Sequence, residues 1–146
     1  MIGIIMSIVA GALMSLQGVF NTRLSEKIGL FQSNTFVQGT AFVLSLIVMF
    51  FFGKNGDFRE ITNVNKLYLL GGALGLGITV SVMLSIKGLS PTYAISIILI
   101  SQLLIAAIID AFGLFDSDKI PFTWNKYIGI LVMIAGVLLF KWNTNK

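Results

Sequence analysis

Asp110 is the one acidic side chain set inside an otherwise uncharged apolar stretch, and Gln102 and Ala106 precede it at intervals of four, with Gly113 continuing the row. Residues three or four apart share a helix face, so Gln102 and Asp110 lie along one line. A carboxylate in such surroundings can bind a cation or exchange a proton. It can also be a helix-end carboxylate at the membrane interface, because it lies ~12 Å along the helix from Gln102. Two amide pairs repeat the spacing: Gln17 with Asn21, and Asn34 with Gln38. Amides do not titrate. They can line a polar cavity and read a solute, or they can hold helices together through hydrogen bonds worth ~1–2 kcal/mol. Both readings stand on spacing alone.

These side chains need elements that carry them through an apolar medium. Of the 146 residues, 56% are hydrophobic and 11% charged, where a soluble domain carries roughly a quarter charged residues. Met1–Thr22, Ile28–Gly53, Leu67–Ile86 and Gly88–Ile109 hold no charged side chain. Runs of ~18 apolar residues or more read as membrane spans. The pattern predicts an all-α integral membrane protein, a single domain over 1–146 with five transmembrane helices at about 2–20, 31–52, 67–86, 92–113 and 126–140. Apolar residues on both parities argue against a β-barrel. Met1-Ile2-Gly3-Ile4 lacks a basic leader, so the first segment is expected to stay as a helix. Pro91 suits the first turn of the fourth span. Lys126 and Lys141 can snorkel at the ends of the fifth, beside Trp124 and Trp142.

The intervening stretches Asn21–Leu30, Gly53–Lys66, Lys87–Pro91 and Leu114–Asn125 read as short loops, the third of them a tight link between the third and fourth helices. Small residues at helical spacing mark close packing: Gly71, Gly75 and Thr79 form one stripe and Gly77, Ser81 and Ser85 another in the third span, and Gly129 and Gly136 form a contact face in the fifth. With no cysteine and no histidine, disulfides, thiolate zinc, haem ligation and a histidine base are excluded. No metal or cofactor is expected, and transport is favoured over catalysis. The net charge of +4 suits anionic lipid head groups rather than nucleic acid.

Five spans put the termini on opposite sides. Lys54, Arg59, Lys66, Lys119 and Lys126 then share the N-terminal side, and Arg23, Lys27, Lys87, Lys141 and Lys146 the other. Cytoplasmic loops normally hold the excess of Lys and Arg, and here the two sides tie. Either other features choose one orientation, or the chain inserts both ways and pairs as an antiparallel homodimer. The second reading suits a chain this small, because inverted repeats are a recurrent transporter architecture.

Ser15-Leu16-Gln17-Gly18-Val19-Phe20-Asn21, Gly71-Gly72-Ala73-Leu74-Gly75, Asp110-Ala111-Phe112-Gly113 and the closing Gly129–Leu139 segment together resemble the YdcZ family of small bacterial inner-membrane proteins. That family is similar to the drug/metabolite transporter superfamily. The resemblance implies a half-transporter that works as a dual-topology dimer, or with a paired homologous chain, and so rebuilds a ten-helix inverted-repeat transporter. Its aspartate is often followed by histidine, where this chain has Ala111, so no titrating Asp-His pair is expected. The first span also lacks the glutamate on which small multidrug resistance relatives rely.

The expected activity is export of a small polar or cationic metabolite through a site lined by Gln17, Asn21, Gln38, Gln102 and Asp110. A dual-topology ion channel and a non-transporting membrane subunit are the alternatives.

Overall fold

The computed structural model of the chain describes residues 1–53 and 56–142. Lys54 and Lys146 of the charge tie lie outside them. Among the described residues, five helices are long and apolar enough to cross a membrane, the third of them counted from Lys66 to Gly88 with its 3₁₀ first turn. They are α1 (Ile2–Ile28), α2 (Leu30–Phe52), α3 (Gly71–Gly88), α4 (Pro91–Phe112) and α5 (Trp124–Trp142). They fall into two compact units, Met1–Gly88 and Leu89–Lys146.

In the first unit the stretch expected as a loop over Asn21–Leu30 is helical. α1 runs on to Ile28, and α2 starts after the single residue Gly29. Arg23, Glu26 and Lys27 signalled the end of the apolar run, but all three are good helix formers. Arg23 and Glu26 pair one turn apart at 3.1 Å. The 27 residues of α1 reach ~40 Å, so the helix continues beyond the ~30 Å hydrocarbon core. It stops at Gly29, whose φ of 99° and ψ of 155° are open to glycine and strained for any other residue.

α1 packs on α2 and α3, and α2 on α3. Burial gathers at the end of the unit that carries Gly29. Gly18, Asn21, Thr22 and Ser25 of α1, Ser33 and Asn34 of α2, and Met83 and Ile86 of α3 are buried there. This core is small and polar. Membrane helices gain little from burying bulky apolar groups away from lipid, and instead associate through close approach and hydrogen bonds. Towards the other end, residues 2–14 of α1 and 39–52 of α2 are exposed in the single chain. Hydroxyls along the helices turn back on their own backbone, as Ser7 does to Gly3 and Ser45 to Ala41, which satisfies them where no water is present.

The expected third span begins differently. Lys66–Leu70 is a 3₁₀ turn, and the α-helix proper starts at Gly71. Asn65 ties this start by accepting from the Leu67 N–H at 3.0 Å. That side chain opens the tighter turn where hydropathy alone suggested a continuous helix. A second 3₁₀ turn, Phe58–Thr62, lies within the stretch read as a loop.

In the second unit α4 packs on α5. Ser90 caps α4 through the Tyr93 N–H, Pro91 occupies the first turn, and Gly113 closes the helix in the left-handed conformation at φ 63°. Two further residues, Phe115 and Asp116, have positive φ, so the chain reverses sharply after α4. The Ile120 N–H donates to the Asp110 carbonyl at 2.8 Å and folds the connection back onto the helix end. The Phe122 ring then sits edge-on to Tyr127, 4.3 Å between centroids. α5 spans 19 residues and is longer at both ends than its charge-free run, because Lys126 and Lys141 lie within it.

Candidate functional site

Two groups of polar side chains stand within the apolar helices, one in each unit. In the first unit the Ser33 hydroxyl donates to the Asn21 carbonyl at 3.3 Å and links α2 to α1. Thr22 and Ser25 bond to the Gly18 and Thr22 carbonyls, each at 2.7 Å. Asn34, only 5% exposed, keeps a side-chain oxygen with no hydrogen-bond partner among the described residues. Further along, the Gln38 amide donates to the Thr79 hydroxyl at 3.4 Å, and Thr79 donates to the Gly75 carbonyl at 2.8 Å. This relay ties α2 to α3. A Cβ at Gly75 would stand 3.7 Å from the Gln38 nitrogen, an ordinary van der Waals distance, so this face of α3 borders the amide without clashing with it.

Of the expected site residues, Asn21 is buried in the first cluster, Gln38 is half-buried in the relay, and Gln17 is exposed on α1. Gln102 and Asp110 belong to the second unit, where Gln102 is exposed and Asp110 half-buried.

Asp110 lines a cavity of about 400 Å³ between α4 and α5. One wall is Leu103, Ala106, Ala107 and Asp110, and the other is Lys126, Gly129, Ile130 and Met133, with Phe122 closing in from the connection. Both rows follow the i, i+3, i+4, i+7 spacing of a single helix face. Among the described residues Asp110 and Lys126 are the only charged side chains that are not exposed, and they line the same cavity. Asp110 is in the last turn of α4 and Lys126 in the first turn of α5, so both charges stand at the same end of an otherwise apolar space. The Lys126 ammonium also lies over the Phe122 ring, 5.8 Å from its centroid.

The glycines read as packing positions differ in their surroundings. Gly75 faces Gln38, whereas a Cβ at Gly71, Gly77, Gly129 or Gly136 would meet nothing within 4 Å inside the chain. Gly129 borders the cavity. The tightest glycine contact between helices is at Gly18, where a Cβ would lie 3.0 Å from Ile86 Cδ1 and 3.1 Å from Val82 Cγ1. Sequence reasoning took Gly18 only as part of the Ser15–Asn21 motif and not as a packing position, although Gly11, Ser15, Gly18, Thr22 and Ser25 form a small-residue row at alternating spacings of four and three. Lys126 was read as a snorkelling helix end and as one charge of the orientation tie, not as a site residue. Its half-burial comes from the fold of the connection around Phe122, for which the sequence carries no local signal.

Five membrane-crossing helices with buried amides and a half-buried carboxylate define a multi-pass membrane protein. The chain belongs to the YdcZ family, described as "Putative inner membrane exporter, YdcZ", whose profile matches residues 2–139. It is accordingly a multi-pass inner-membrane protein of an exporter family. No curated protein and no solved structure matches this chain.

Proposed function

We propose that the chain is a secondary exporter of a small polar or cationic metabolite and works as a dimer, either with a second, inverted copy or with a paired homologous chain. The observation that carries this reading is the match to an exporter family over residues 2–139. Two features support it. Polar groups are held within the spans, and one of them, the buried Asn34 side-chain oxygen, has no hydrogen-bond partner among the described residues. Helix faces bearing Gly71, Gly77 and Gly136 are open in the single chain, and such faces suit close helix approach. In this reading Gln17, Asn21, Gln38, Gln102 and Asp110 read the solute, and the tie in Lys and Arg permits both orientations. The reading is of a carrier rather than an enzyme or a channel. Reconstitution into liposomes with counterflow of radiolabelled metabolites tests it. Saturable exchange is expected, and ion conductance without saturation would point to a channel instead.

A further inference from the structure

We propose that the α4–α5 cavity binds a small amphipathic zwitterion, with Asp110 meeting its ammonium group and Lys126 its anionic group. This rests on the exporter reading in one respect: the occupant is taken to be the exported solute. Every other charged side chain among the described residues is exposed, yet these two are half-buried and border one space. No ion pair joins them within 4 Å. Partly desolvated charges are unfavourable unless they are met by opposite charge. A cation would satisfy Asp110 and leave Lys126 unmatched, and an anion would do the reverse. A zwitterion answers both and leaves the charge of the wall unchanged.

The shape agrees with the charge. Both charged groups sit at the end of the cavity next to the α4–α5 connection, and the rest of the wall is apolar, so a bound molecule would be polar at one end and apolar along its body. The volume of about 400 Å³ falls within the ~300–1,000 Å³ of small-molecule sites. It would hold the head group of a diacyl lipid but not its chains. Gly129 creates part of the room, since a Cβ there would meet nothing within 4 Å.

Calorimetric titration of the detergent-purified full chain at neutral pH tests this with three probes of similar shape: phenylalanine, phenylalaninamide, which keeps only the cation, and 3-phenylpropanoate, which keeps only the anion. Phenylalanine is expected to bind about tenfold more tightly than either analogue, the effect of one charge-assisted contact. Asp110→Asn should reduce it to the level of the anion, and Lys126→Gln to the level of the cation. Gly129→Leu should abolish binding of all three while the melting temperature holds, because the added side chain enters open space. Equal affinity for the three probes would overturn the proposal. So would an absence of phenylalanine binding at millimolar concentration, binding unaffected by Gly129→Leu, or binding of lysophosphatidylethanolamine in place of the free zwitterion. Binding is read without a gradient, so its failure leaves the exporter reading standing, and failure of counterflow leaves the site standing.

Discussion

Asn34 and Gly18 show how single residues are used in a core that has few bulky side chains to pack. Asn34 is buried with an oxygen that no described residue satisfies, and a buried unpaired polar group costs about 1–3 kcal/mol. Asn34→Leu is of similar size and removes that penalty. It should leave the melting temperature in detergent unchanged or raised, while lowering counterflow if the amide reads solute. A fall in both would mean that Asn34 holds the helices together. Gly18→Leu should act the other way. The Ile86 and Val82 side chains already stand at 3.0 and 3.1 Å from the position of a Cβ, and overpacking of this kind costs about 1–3 kcal/mol. Thermal melting should fall clearly, whereas Gly72→Ala, with nothing within 4 Å, should leave it level or raise it slightly through helix propensity.

At the scale of elements, the α1–α2 hairpin depends on one backbone conformation. Gly29 turns the chain in a single residue, and a Cβ there would also run into the Gln32 side chain. Gly29→Ala should therefore destabilise the first unit by about 1–3 kcal/mol, seen as a lower melting temperature with the helix content retained in circular dichroism. An unchanged melting curve would mean that the turn relaxes to another geometry. Asn21, Ser25, Ser33 and Asn34 flank this turn, so the hairpin also sets where the buried polar cluster lies. In the second unit the same part is played by the reversal after Gly113, which brings Phe122 and Lys126 to the wall that Asp110 starts.

For the whole molecule, orientation is the property with the least bias in the chain. Five Lys or Arg fall on each side of a five-span topology, and orientation follows such an excess. A reporter fused at the C-terminus should register on both sides of the membrane, and two lysines added to one side should move it to a single orientation. A reporter confined to one side at every expression level would exclude an inverted homodimer and favour a paired chain.

Charge-free runs and helix-length hydropathy were enough to determine the membrane class, the number of spans and most of their positions, because in lipid every backbone group must be paired within its own segment. Pro91 marked the start of α4, because a proline is tolerated in the first turn, whereas Gly113, read as part of the polar row, closes the helix in the left-handed conformation. The extension of α1 to Ile28 was hidden, since hydropathy reports where the hydrocarbon ends and not where a helix ends. The polar spacing picked out Asn21, Gln38 and Asp110 without saying which groups meet. Gln38 with Thr79, Ser33 with Asn21, and Asp110 with Lys126 in one cavity are relations between helices. Only tertiary structure decided them, because residues far apart in the chain come together through turn geometry and through close approach at glycine and serine, and no local period encodes that.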